Sequence, residues 1–237
     1  MAFTIMTISG CVSFLLIVLS LGYLRNFCIK YIIRFSSRTI LRLAGYKPIY
    51  PSEKQFPKHQ VLYTFNHNSF LDIFLLTGLG LSNTRVILST STLKYLPLVI
   101  SAKAIGTFYL PMQEDHEKRV KVFKKITNHL KSSNNSIFGS SEGVHNQFNG
   151  IEKFNKGVYH MALEANIPIV ALYIHIPDEN NFRRGKYDVP GGSINLEILG
   201  EIETRDWKLE SLEEHIQGVR SLFVNRFNEL NPNHPTN

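Results

Sequence analysis

The chain reads as an α/β protein: a single domain with a mostly parallel central sheet flanked by helices, preceded by an N-terminal membrane helix. Three observations lead there. Apolar runs of strand length alternate with segments of helical spacing through the body of the chain. Residues 1–24 carry no charged side chain, and about 20 such residues span a hydrocarbon core as a helix. The 237 residues show no internal repeat or low-complexity tract, so they suit one sizeable core plus an anchor.

Residues 1–24 are the transmembrane anchor. A cleaved signal peptide would carry a basic leading region and a small-x-small cleavage site, and neither is present. Residues 25–47 form a basic amphipathic helical segment. Lys30, Arg34, Arg38 and Arg42 recur every four residues, with Ile29, Ile32, Ile33, Ile40 and Leu43 on roughly the opposite arc. Two readings fit this stripe: a helix lying on an anionic membrane face, or one packed on its own domain with a solvated basic side. Under either, the positive-inside bias places the rest of the chain in the cytoplasm, behind a single-pass membrane anchor.

Pro48, Pro51 and Pro57 mark a linker, and residues 48–237 form the body. Strands are expected at Val61–Phe65, Arg85–Ser89, Ile105–Leu110, Ser136–Phe138, Ile167–Ile176 and Ile194–Leu199. Helices are expected at Phe70–Leu79, Glu114–Lys131, Lys156–Ala165 and Ser211–Leu230. The last places Leu212, Ile216, Val219, Leu222, Phe223 and Phe227 on one face.

The net charge of +7 favours nucleic acid, anionic lipid or an acidic partner. No nucleic-acid-binding module is recognisable and the chain opens on an apolar span, so no nucleic-acid partner is expected. Cys11 and Cys28 both fall in the apolar N-terminal region. That excludes a disulfide framework and a cysteine-ligated zinc site.

The expected strand ending at Phe65 runs into Asn66-His67-Asn68-Ser69-Phe70-Leu71-Asp72. Open α/β sheets bind ligands at the carboxyl ends of their strands. With His67 in the loop and Ser69 capping the helix, Asp72 falls on the first turn and its carboxylate can fold back to the imidazole. A carboxylate on one ring nitrogen fixes the tautomer and makes the other a better base. The plain alternative is a turn in which His67 is incidental and Asp72 only favours the helix N-terminus.

The residues resemble the glycerolipid acyltransferase family, which includes the 1-acylglycerol-3-phosphate acyltransferases. Its Asn-His-x4-Asp motif is matched by Asn66, His67 and Asp72. Its Gly-x-x-Phe-type strand is matched by Gly106-Thr107-Phe108-Tyr109-Leu110-Pro111-Met112. Its Phe-Pro-Glu-Gly-Thr-Arg motif is approached by Phe138-Gly139-Ser140-Ser141-Glu142-Gly143-Val144-His145. Lys156-Gly157, Ile167-Pro168-Ile169-Val170 and Pro190-Gly191 follow in order, so the resemblance runs from about Val61 to Phe227.

The resemblance implies that residues 48–237 are an acyltransferase domain. Its catalytic residues would be His67 and Asp72, with Asn66, Met112, Glu142, Gly143, Val144 and His145 about the substrate. Acyl-CoA or acyl-carrier protein would be co-substrate and a membrane lipid the acceptor, with no separate cofactor and no metal. The pattern sets no oligomeric state. Two arginines that end the family's second and third motifs are replaced here by Met112 and His145. Arginine clamps a phosphate bidentately, methionine does not, and histidine does so only when protonated. The acceptor is therefore expected to be a zwitterionic lysophospholipid or related lipid rather than a phosphate monoester. The same substitutions leave open a catalytically silent, lipid-binding or scaffolding relative. Glu142 and His145 make an incomplete metal pair. The basic runs Arg183, Arg184 and Lys186, and Lys118 to Lys125, fit solvated surfaces, with docking of an acidic carrier as a further use.

Overall fold

The computed structural model describes residues 1–67, 69–143, 150–182, 188–233 and 236. Seven strands form one sheet: β1 (Lys47–Ile49), β2 (Leu62–Phe65), β3 (Thr84–Ser89), β4 (Phe108–Leu110), β5 (Ser136–Ser140), β6 (Ile169–His175) and β7 (Ser193–Ile202). Their order is β1-β7-β6-β2-β5-β3-β4. All neighbours are parallel except β6 and β7, so the expected α/β fold with a mostly parallel sheet is the one observed. The position of β2 follows from its sequence. All four of its residues are buried, as a strand covered on both faces requires.

Alternation divides the sheet's side chains between two cores. Tyr63, Phe65, Phe138, Val170 and Leu172 face one, covered by α3 (Arg34–Leu43) and α4 (Asp72–Leu79). Leu62, Ile137, Ile169, Ala171 and Tyr173 face the other. That side is covered by α6 (His116–Ser132), α7 (Lys156–Ala165) and α8 (Leu212–Leu230). On α8, Leu212, Ile216, Val219, Phe223 and Phe227 are buried, as the periodicity predicts, and Leu222 is half-buried.

Three readings of the sequence change. The stretch read as a linker instead contributes β1, which pairs in parallel with β7, and a 3-10 turn closed by a Ser52–Gln55 capping box. Residues 96–105, not assigned from sequence, form α5 (Leu96–Ile105) with Pro97 in its first turn. A proline there costs no helical hydrogen bond. The strand expected from Ile105 accordingly starts at Phe108.

The basic stripe packs on the domain. Arg34 meets Glu53 at 2.5 Å. Arg38 donates to the Gly78 carbonyl at the C-terminal end of α4 (2.7 Å) and lies over the Tyr50 ring. Helix C-termini attract cations. Residues 25–43 run as α2 (Arg25–Phe27), a π-helical turn (Cys28–Ile33) and α3. The exposed positions of this segment include Phe27, Tyr31, Phe35 and Leu43.

The first helix, α1 (Ala2–Leu19), is long and apolar enough to cross a membrane. One face is not free. Met6, Gly10, Ser13 and Ile17 are buried. Ser9 bonds Ser36 (2.8 Å), and Ser101 donates to the Met6 carbonyl (3.0 Å). Gly10 permits this approach, because a Cβ there would lie 2.6 Å from Ser101 Oγ and 3.0 Å from its backbone nitrogen. Gly10→Leu is expected to lever α1 off α5. Overpacking of this kind costs about 1–3 kcal/mol, and it would be read as faster proteolysis within residues 1–24 while the remainder of the chain stays resistant.

Candidate active site

β2 delivers its chemistry where it leaves the sheet. Asn66, the first residue beyond Phe65, is buried. Its amide accepts from the Ile174 N–H (2.8 Å) and donates to the Ile174 carbonyl (2.9 Å). The side chain thus imitates one more strand residue and ties the end of β2 to β6. Asn66, expected about the substrate, makes this brace in the structure.

His67 is held at its backbone and its ring by different carboxylates. Its N–H donates to Glu142 Oε2 (2.7 Å), and its Nδ1 lies 2.7 Å from Asp72 Oδ2. Asp72 opens α4 and is buried, whereas the imidazole is 24% exposed. Asp72 Oδ2 also accepts the Ser69 N–H (3.2 Å). Ser69 Oγ accepts from the Leu71 N–H and donates to the Phe182 carbonyl, closing the turn that aims Asp72 back at the ring. The Phe65 ring stands edge-on to the imidazole at 5.9 Å.

Glu142 lies at the end of β5, beside β2. Its Oε1 accepts the Glu152 N–H (3.0 Å), so both oxygens serve backbone amides. It therefore braces the backbone around His67. Burial raises its pKa, partly offset by those two hydrogen bonds. Gly143 adopts φ +73° and donates to Ser140 Oγ. A side chain is disfavoured by that φ, and a Cβ would also displace the Asn155 amide, whose Nδ2 would lie 2.7 Å away. Asn155 Nδ2 bonds the Glu142 carbonyl. Val144 and His145 lie outside the described residues, as do Asn68, Arg183, Arg184 and Lys186.

Sequence reading noted Ser141 but assigned no role to it, to Thr64 or to Tyr159. Ser141, which replaces a proline of the family motif, bonds Thr64 Oγ1 and Tyr159 OH (3.1 Å) in the interior. Its N–H donates to the Phe65 carbonyl (3.0 Å), a bond no proline could make. The Ser141-for-Pro exchange was the available signal; its partners lie too far along the chain to be paired by inspection.

Met112 follows β4 and is 48% exposed, its sulfur 3.3 Å from Ser89 Oγ. Arg119 of α6 donates to the neighbouring Pro111 carbonyl (2.7 Å) and lies over the Phe123 ring. Lys118 pairs with Asp115. Part of that basic run is thus engaged within the chain. Among the described residues, no group of three or more His, Cys, Asp or Glu side chains is placed to hold a metal ion.

Stability should register the Glu142 brace. An acid whose pKa is raised by folding binds its proton more tightly in the native state, so stability falls as pH rises from the ordinary value near 4.5 through the raised one. Urea melts at a series of pH values should show the native protein losing ground to Glu142→Gln across that interval. A constant difference would mean that Glu142 titrates alike in both states.

A family model described as Acyltransferase matches residues 47–175. A 1-acyl-sn-glycerol-3-phosphate acyltransferase of Cocos nucifera is 23% identical over 197 residues, covering 82% of this chain and 62% of its own length. One from Saccharomyces cerevisiae is 24% identical over 181 residues, covering 75% and 59%. The chain thus spans about three fifths of the length of these curated relatives. The crystal structure of the 1-acyl-sn-glycerophosphate (LPA) acyltransferase PlsC from Thermotoga maritima superposes with a TM-score of 0.71. The identity is 15%, over 99% of this chain and 100% of that one, a likeness of fold.

Proposed function

The chain belongs to the Acyltransferase family, and from that premise we propose that it is a membrane-bound glycerolipid acyltransferase. It moves a fatty acyl group from acyl-CoA or acyl-carrier protein to a lysophospholipid hydroxyl. The observation that carries this reading is the 2.7 Å bond between His67 Nδ1 and the buried Asp72 carboxylate at the end of β2.

With its proton on Nδ1 and directed to Asp72, the imidazole carries a lone pair on Nε2. That nitrogen takes the proton of the acceptor hydroxyl as the oxygen attacks the thioester carbonyl. Asp72 stabilises the imidazolium so formed. Collapse of the tetrahedral intermediate breaks the C–S bond, and the departing thiolate recovers the proton from His67. The acyl group never bonds to the protein. A buried carboxylate held on an imidazole serves general-base chemistry better than it serves a silent scaffold.

An apolar crevice borders α4, the helix that Asp72 opens. It is lined by Ile33, Ile73, Phe74 and Ile105, with the hydroxyls of Ser36 and Ser101 beside them. The exposed apolar residues of α1, among them Phe3, Ile8, Phe14, Leu15 and Val18, suit hydrocarbon. The basic residues after α1 favour a cytoplasmic catalytic domain.

His67→Ala is expected to lower kcat by about 10²–10⁴-fold, the usual worth of a positioned base. Asp72→Asn should do comparable harm by favouring the wrong tautomer. Transfer of labelled acyl groups by detergent-solubilised protein reads both, and activity untouched by His67→Ala would remove the mechanism.

Met112 offers a phosphate monoester no cation, so the preferred acceptor is zwitterionic. A panel of lysolipids should show lysophosphatidylcholine or lysophosphatidylethanolamine used in preference to lysophosphatidate. Met112→Arg should move that preference toward lysophosphatidate by roughly tenfold, the value of one charge-assisted contact. Lysophosphatidate as the best substrate of the native protein would refute this acceptor assignment.

A further inference from the structure

Two guanidinium groups meet beside the amino end of β3. Gly106 ends α5 in the left-handed region, at φ +76°. A Cβ built there would lie 2.6 Å from Arg25 Nη1 and 3.0 Å from Arg85 Nε. Arg25 opens α2, and Arg85 comes from the first half of β3. Among the described residues neither forms an ion pair with a carboxylate. Burial, together with the charge of Arg25, pushes the pKa of Arg85 down to about 10.

The fold compensates these charges only in part. The C-terminal end of α5 offers roughly half a negative charge, against two full positive ones. Two planar forks side by side suit a tetrahedral oxyanion, which guanidinium groups bind bidentately.

We propose that Arg25 and Arg85 form a phosphate-binding site, separate from the His67–Asp72 centre, that takes the headgroup phosphate of a membrane phospholipid. The separation follows from register. Arg85 pairs with Ile137, which pairs with Leu62 at the amino end of β2, whereas His67 lies beyond its carboxyl end. Five residues of strand put the two sites on the order of 16 Å apart along the sheet.

The choice of a lipid over a soluble phosphate follows from what precedes Arg25. Leu19, Leu21 and Tyr23 are 73%, 89% and 88% exposed. Exposed apolar and aromatic side chains followed at once by a cation are the profile of a membrane interface. There, hydrocarbon lies to one side and headgroup phosphates to the other. Anionic lipid, with no cationic headgroup to compete with the arginines, should bind best.

Native mass spectrometry of the full-length, detergent-solubilised protein tests this. Separate arms would titrate phosphatidylglycerol, phosphatidylcholine and inorganic phosphate. The native protein should retain one phosphatidylglycerol in preference to phosphatidylcholine. The Arg25→Gln/Arg85→Gln double variant should bind it roughly tenfold more weakly or worse. His67→Ala should bind it as the native protein does. Equal retention by a double variant with native circular dichroism and melting temperature would overturn the proposal. So would displacement of the lipid by inorganic phosphate, or loss of retention in His67→Ala. If the double variant does not fold, Arg85→Lys decides, because it keeps the charge and loses the fork: several-fold weaker retention supports the site, and unchanged retention rejects it.

Discussion

The candidate site rests on one buried arrangement: two carboxylates from different parts of the chain grip a single histidine. Glu142 takes its backbone N–H and Asp72 its ring. Neither contact would suffice alone. The ring bond sets the tautomer but leaves the backbone free to turn, and the backbone bond fixes the residue but not the ring. Together they leave the imidazole with one orientation, and preorganisation of this kind lets a weak base act efficiently. Ionising Glu142 in the interior costs energy. Its two amide donors and the adjacent parallel strands make that tolerable.

The sheet makes the grip possible. β2 lies between β5 and β6, and each neighbour supplies one anchor at the carboxyl end. Glu142 comes from the end of β5, and the Ile174 backbone of β6 receives Asn66. Ser141 adds a hydrogen bond to Phe65 and closes a buried hydroxyl chain with Thr64 and Tyr159. The residues around His67 are therefore mostly structural. Asn66 and Glu142 both bond backbone groups.

The N-terminal helices join the catalytic body closely. α1 is apolar on its outer side, yet its inner face is stitched by serine hydroxyls and a glycine to α3 and α5. Small residues are what allow helices to pack closely in lipid, where the hydrophobic effect gives little drive between them. The anchor and the apolar crevice beside α4 share residues, since Met6 and Ser9 line the crevice with Ile73 and Phe74. The first helix thus helps to wall that crevice.

By itself the sequence determined the alternation of strands and helices, the apolar first helix, the buried face of α8 and the pairing of His67 with Asp72. Each is local: a period, a run or a five-residue spacing decides it. Only the tertiary structure decided the rest. It made β1 out of a proline-rich stretch, because β7 offered an open edge, and paired Arg34 with Glu53 and Arg38 with the end of α4, because they stood opposite. It also set Glu142 against the backbone of His67 and Glu152, and Arg25 beside Arg85. Such contacts join residues tens of positions apart, and their energy depends on burial and on partners that no window of sequence contains.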